Sequence, residues 1–277
     1  MKKTLALAVA LSLAGSGCVE RRPDIQYRGI GTIDELDRLE PRLAADPDPE
    51  FFAPWLVRAR LRSLTPDERL ALDARDGPLF RPDEAGLKTI ESQFALFTQP
   101  LRPRLERWLE RSETHMPMVR QVLAEAHLPP ELAYLPFVES GFSTNALSSA
   151  GARGMWQFMP ETGRRFGLAC CDAEDERTDP LKSSFSAAAY LRQLYLEFGD
   201  WSLALAAYNA GEGRIGRLVR LTGARDFFEL SQANQRVPPG SRLPEETLLY
   251  VPRFIAMMKI IKNLDRLGFE RPAWHDG

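Results

Sequence analysis

Leu135-Pro136-Phe137-Val138-Glu139-Ser140-Gly141-Phe142 sets a single carboxylate in an almost wholly apolar octapeptide, with no basic residue in it to offset the charge. A carboxyl in such surroundings is costly to ionise, so its pKa rises and it can remain a proton donor near neutral pH, as a general acid must. The plainer alternative is a solvated Glu at a helix end, and the octapeptide alone does not separate the two.

Working outward, apolar residues recur at helical spacing on both sides. From Met116 the pattern predicts helices over Val119–Ala126, Pro130–Ser140, Pro160–Gly167, Phe185–Phe198, Trp201–Ala210, Arg214–Thr222 and Glu245–Leu267. Pro130 suits a first turn, Ser184 is an expected N-cap, and Gly199 and Gly211 stand where C-terminal glycines belong. No alternating strand pattern of any length occurs, so the fold class is all-α, with room for a small irregular excursion near Leu168–Thr178. Upstream, Leu87, Ile90, Phe94, Phe97, Leu101, Leu105, Trp108 and Leu109 continue the helical pattern, with Pro100 and Pro103 expected to bend or split it. Residues 84–115 are therefore a helical lead-in packing on the domain that follows. Residues 18–83 are rich in proline and read as a tether with short helices.

The 277 residues are 44% hydrophobic and 27% charged, which disfavours both a disordered chain and a multi-span membrane protein. With 36 basic and 38 acidic residues and a formal charge of -2, there is no broad cationic face for nucleic acid. Lys2-Lys3, the apolar run Leu5 to Ala14 and the small residues before Cys18 have the layout of a secretory signal over residues 1–17. The run is about half of the ~20 residues a spanning helix needs. Gly15-Ser16-Gly17-Cys18 resembles a bacterial lipoprotein box, although Gly15 stands where Leu is usual; cleavage after Ser16 is the competing reading. A lipidated Cys18 followed by Val19 points, by resemblance to Gram-negative lipoproteins, to the outer membrane. Cys170 and Cys171 are adjacent, without CxxC spacing, and the chain has three His, so neither a disulfide framework nor a structural metal is expected.

Three further motifs stand out. Gly151-Ala152-Arg153-Gly154-Met155-Trp156-Gln157-Phe158-Met159-Pro160 is either a tight turn before a core helix, with Trp156 and Phe158 buried, or a sugar-binding wall of aromatic, thioether and amide groups. Ala206-Ala207-Tyr208-Asn209-Ala210-Gly211 carries Tyr208 and Asn209 to a helix end, which is also an ordinary helix stop. Glu245-Glu246-Thr247-Leu248-Leu249-Tyr250-Val251-Pro252 puts Glu246 and Tyr250 on one face at i, i+4 spacing, although a first-turn acid is common without function.

Taken in order, E-S, G-x-x-G-x-W-Q-x-x-P, A-Y-N-A-G and E-T-x-x-Y-V-P resemble the soluble-lytic-type catalytic domain of bacterial lytic transglycosylases, nearest the membrane-bound type D branch, over roughly Leu87 to Asn263. Ser148 and Gln157 follow Glu139 by nine and eighteen residues, as in that family. Ser143-Thr144 departs from the Asn-Pro often found there, which is expected to alter a loop and leave the chemistry intact. The wall-binding repeats common after this domain in the type D branch have no counterpart before Gly277. Substrate grip is then expected from the groove, from residues 19–83 or from a membrane tether.

The resemblance implies a lysozyme-like (goose-type) helical domain at residues 116–272, acting on peptidoglycan glycan strands in the periplasm. Ordinary glycosidases use two carboxyls, but Glu161 and Glu212 read as solvated and Glu246 matches a site-lining acid. By resemblance, Glu139 alone is the catalytic acid and then base, the substrate's N-acetyl group assists, and a 1,6-anhydro ring closes without water. Ser148, Met155, Gln157, Tyr208, Asn209, Glu246 and Tyr250 are the implied substrate-binding residues, with no cofactor. The alternatives are a hydrolytic goose-type muramidase and an inactive wall-binding scaffold.

Overall fold

The computed structural model describes residues 61–74, 79–171 and 174–276. The expected signal segment, Cys18 and the part of the expected tether up to residue 60 lie outside them. Eleven α-helices, short 3-10 turns and one small hairpin make up the described residues.

The first helix, α1 (Pro66–Asp73), begins at a capping box: the Thr65 hydroxyl accepts from the Glu68 amide while the Glu68 carboxylate accepts from the Thr65 amide. It lies inside the segment expected as a tether, yet Ala71 and Leu72 are buried in the common core, and Lys259 donates to the Ala74 carbonyl at 2.8 Å. The expected break in the lead-in falls at Pro100. The helix α2 (Glu84–Thr98) stops before it, and α3 (Arg102–Ser112) starts beyond it with Pro103 in its first turn.

The helix α4 (Met116–Glu125) is followed by a 3-10 turn, Pro130–Tyr134, and by the five-residue α5 (Leu135–Glu139). The continuous helix expected over Pro130–Ser140 is thus two pieces, since Pro136 has no N–H to carry a helix through its first turn. After α6 (Pro160–Arg165), the irregular excursion contains a hairpin pairing β1 (Cys170–Cys171) with β2 (Glu174–Asp175), Cys170 opposite Asp175. The helix α7 (Pro180–Phe198) begins earlier than expected. Its N-cap is Asp179, whose carboxylate accepts from the Lys182 amide, and Ser184 is buried within the first turns. The expectation for Ser184 is therefore corrected: Asp followed by Pro is the stronger start signal.

Gly199, in the left-handed region, closes α7, and the helix α8 (Trp201–Ala210) has the expected bounds, capped by the Asp200 carboxylate at its start and by Gly211 at its end. Next come α9 (Glu212–Thr222), α10 (Phe227–Ala233), which periodicity missed, and α11 (Glu245–Ile261). Helices α8 and α11 are buried nearly all round, Leu203 to Ala207 on one and Tyr250 to Ile261 on the other. A helix apolar on every side belongs at the centre of a helical body. Around this pair pack α2 against α11, and α7 and α9 against α8. No helix among the described residues is long and apolar enough to cross a membrane.

Candidate active site

Glu139 ends α5, and the residues after it explain why the chain stops there. Gly141 has φ +58, and a Cβ on it would collide with the indole of Trp108 in α3. The Ser140 hydroxyl donates to the Met155 carbonyl at 2.8 Å and accepts from the Ser143 amide at 3.1 Å. The serine after the glutamate thereby pins the acid's helix to the glycine-rich loop. Arg111, buried on α3, donates to the Gly141 carbonyl at 3.2 Å from the other side.

The Glu139 side chain is partly open to solvent in an otherwise buried stretch. Burial of its carboxyl raises the pKa to about 8; the Tyr250 hydroxyl, donating to Oε1, opposes the rise, Glu246 adds to it, and Arg253 opposes it. Desolvation wins, so the carboxyl keeps its proton near neutral pH.

The glycine-rich loop is a tight turn whose aromatics face inward. Trp156 and Phe158 are buried, and the Trp156 indole donates to Ser184 at 2.9 Å. Met155 is 0% exposed, so its side chain is core, and it meets the acid only through the carbonyl that Ser140 uses. The thioether of the motif that reaches solvent is Met159, 42% exposed, because the chain turns outward before Pro160. Gly154, at φ +82, lies so close to the Arg177 carbonyl that any side chain would clash. Arg177 in turn bonds the carbonyls of Gly151 and Phe158 at 2.8 and 2.9 Å and pairs with Asp175 of the hairpin. The excursion near Leu168–Thr178 is what braces this loop.

Ser148 accepts from the Ala152 amide at 2.9 Å, which uses a lone pair and not the hydroxyl proton. The Gln157 amide nitrogen donates to the carbonyls of Gly154 and Ala146. Its two hydrogens serve the loop, and Oε1 is the acceptor it retains. Gln157 itself sits at φ +50, a conformation costly for a residue with a Cβ.

Tyr208 and Asn209 reach the site from the end of α8. The Tyr208 hydroxyl donates to the Trp156 carbonyl at 2.8 Å, and its ring lies 5.2 Å from that of Tyr190. Burial first, and then the negative charge of Glu139, hold the phenol well above its ordinary range. Asn209 accepts from the Thr247 hydroxyl at 2.9 Å, which ties α8 to the start of α11. Glu212 is half-buried rather than solvated: it pairs with Arg165 at 2.5 Å and accepts from the Tyr190 hydroxyl at 2.8 Å. Glu161 is exposed as expected.

From α11, Glu246 is exposed, but Tyr250 is 2% exposed. Its hydroxyl donates to Glu139. The pattern reading missed Arg253, which shares the face of Glu246 and Tyr250 at i+7 and i+3, and Gln93 of α2, which accepts from Arg253 Nε at 3.1 Å. The face was readable from spacing, whereas the pairing with α2 was not. Among the described residues there is no cluster of three or more His, Cys, Asp or Glu suited to a metal ion.

Comparison with known proteins places this geometry. The model of the transglycosylase SLT domain matches residues 118–231. The chain is 38% identical over 168 residues to membrane-bound lytic murein transglycosylase D of Escherichia coli (strain K12), covering 59% of this chain and 35% of that protein. It is 34% identical over 115 residues to a putative tributyltin chloride resistance protein of Alteromonas sp. (strain M-1), covering 40% of this chain and 56% of that protein. It also aligns at 18% identity and a TM-score of 0.44 with the 70 kDa soluble lytic transglycosylase of Escherichia coli, over 68% of this chain and 34% of that one. The chain thus spans about a third of the first relative's length and just over half of the second's. Glu139, the glycine-rich loop and the Tyr208–Asn209 helix end all fall inside the residues that the transglycosylase SLT domain model matches.

Proposed function

We propose that this protein is a murein lytic transglycosylase that cleaves the bond between N-acetylmuramic acid and N-acetylglucosamine in peptidoglycan and leaves a 1,6-anhydro end. The observation that carries the reading is the proton-retaining carboxyl of Glu139, on a half-buried residue inside the segment that matches the SLT domain model. In this reading Glu139 delivers its proton to the glycosidic oxygen as that bond breaks, and the N-acetyl carbonyl of the substrate stabilises the cationic carbon. The resulting carboxylate then takes the proton of the C6 hydroxyl as its oxygen closes on C1. The proton account balances without water and returns Glu139 to its acid form. A single carboxyl suffices because one proton is given and one recovered.

Tyr208 and Glu246 flank the reacting sugar, Ser148 and the Gln157 carbonyl oxygen hold its polar groups, and Asn209 keeps α8 and α11 in register. Relatives named as membrane-bound lytic murein transglycosylases support an exported, periplasmic protein. Lipidation of Cys18 anchoring it to the outer membrane is part of the same reading. Glu139→Gln tests the assignment. The amide has the same shape and no acidic proton, so release of soluble muropeptides from purified peptidoglycan should fall by at least about 100-fold, while binding of a chitooligosaccharide persists. Retention of more than a tenth of the rate removes Glu139 from the role.

A further inference from the structure

Glu139 must carry a full negative charge midway through the proposed cycle, in a place where burial disfavours it. The neighbouring groups are unequal to this need. Tyr250 donates one hydrogen bond, Tyr208 donates its hydrogen bond to the Trp156 carbonyl, and Glu246 repels a second negative charge. Of the charges near α5 on other elements, Glu131 of the 3-10 turn is paired with Lys262 at 2.9 Å, and Arg111 of α3 is bonded to the Gly141 carbonyl. Arg253 is the cation whose field acts on Glu139. It stands one turn beyond Tyr250 on α11, and α11 packs directly on α5. At 8% exposure its guanidinium is fixed by the 3.1 Å bond from Nε to the Gln93 amide oxygen, itself buried on α2. Burial pushes Arg253 down to about 10, which leaves it charged at neutral pH.

We propose that Arg253, held by Gln93, is a positioning residue that offsets the charge Glu139 acquires when it gives up its proton, so that α2 belongs to the working site. Both residues lie outside the segment matched by the SLT domain model, residues 118–231. The lead-in helix is then more than packing: it fixes the cation that, with the Tyr250 hydroxyl, favours the charged form of Glu139. The inference rests on the proposed acid and base role of Glu139, although its central readout does not require turnover.

The test is a carbon-13 titration of the Glu139 carboxyl in full-length protein labelled at glutamate Cδ, with Glu139→Gln supplying the assignment. It is run on the wild type, Arg253→Gln, Arg253→Lys and Gln93→Leu, alongside pH profiles of muropeptide release. Loss of a nearby opposite charge moves a carboxyl by about one unit or more. Arg253→Gln should therefore raise the midpoint and the alkaline limb by about one unit and lower the maximal rate about tenfold. Arg253→Lys should restore most of the shift, and Gln93→Leu should give a smaller move in the same direction. An unmoved midpoint in a folded Arg253→Gln overturns the proposal, whatever happens to its rate. If Arg253→Gln does not fold, a Gln93→Leu midpoint identical to the wild type overturns it equally. A wild type that releases no muropeptides, with midpoints that move as stated, contradicts the proposed function and leaves this inference standing.

Discussion

Glu139 sits between opposed influences, and their balance can be read from two substitutions. Its carboxyl is raised by burial from an unfolded value near 4.5 to about 8. The unfolded chain therefore releases this proton first, and folding stability falls as pH rises from about 4.5 to 8. Glu139→Gln removes that liability. Chemical denaturation should show it more stable than the wild type by about 3 kcal/mol at pH 7 and about equal at pH 4; an equal gain at both values contradicts a buried, neutral acid. Tyr250→Phe takes away the hydroxyl that favours the carboxylate. The alkaline limb of activity should move up and the rate drop about tenfold, with a stability cost of about 1 kcal/mol. The acid was legible from the apolar octapeptide because desolvation is a local matter. The inward turn of Met155 and Tyr250 was not, because which face of a loop or helix is covered depends on partners distant in sequence.

At the scale of elements, the site depends on how the glycine-rich loop is braced. Gly154 tolerates no side chain, both for its positive φ and for the Arg177 carbonyl beside it. Gly154→Ala should cost about 3 kcal/mol in urea unfolding and reduce activity by displacing the Met155 carbonyl that holds Ser140. An activity left intact would mean that Ser140 orients Glu139 without that bond. The helix Trp201–Ala210 could be read directly, because its run of apolar and small residues stops at Gly211. The break between Tyr134 and Leu135 and the early start of α7 at Pro180 could not, because they turn on single prolines and on the Asp179 cap. The short helix α10 offers too few turns for its period to show.

In the whole molecule, buried titratable groups pull stability in opposite directions with pH. His115, buried at the head of α4, is lowered from 6.5 to about 4 by desolvation. Its neutral form is favoured in the fold, so its contribution is present above about 6.5 and is lost as pH falls toward 4. Glu139 works the other way. The pH of maximal stability should therefore move upward in Glu139→Gln, and replacing His115 with Phe should flatten the acid side of the curve, as thermal unfolding between pH 4 and 8 would show. The all-helical class was evident from the chain because every long apolar pattern has the same period. The docking of α1 into the core was hidden by the prolines around it and by its distance in sequence from Lys259.

Digestion of purified peptidoglycan in water enriched in oxygen-18, followed by mass analysis of the soluble muropeptides, tests the central claim most directly. The account predicts muramyl ends lighter than hydrolysed ones by one water and free of the heavy isotope, since the C6 oxygen closes the ring. Reducing ends that carry oxygen-18 would contradict it and make the protein a muramidase that uses Glu139 to activate water.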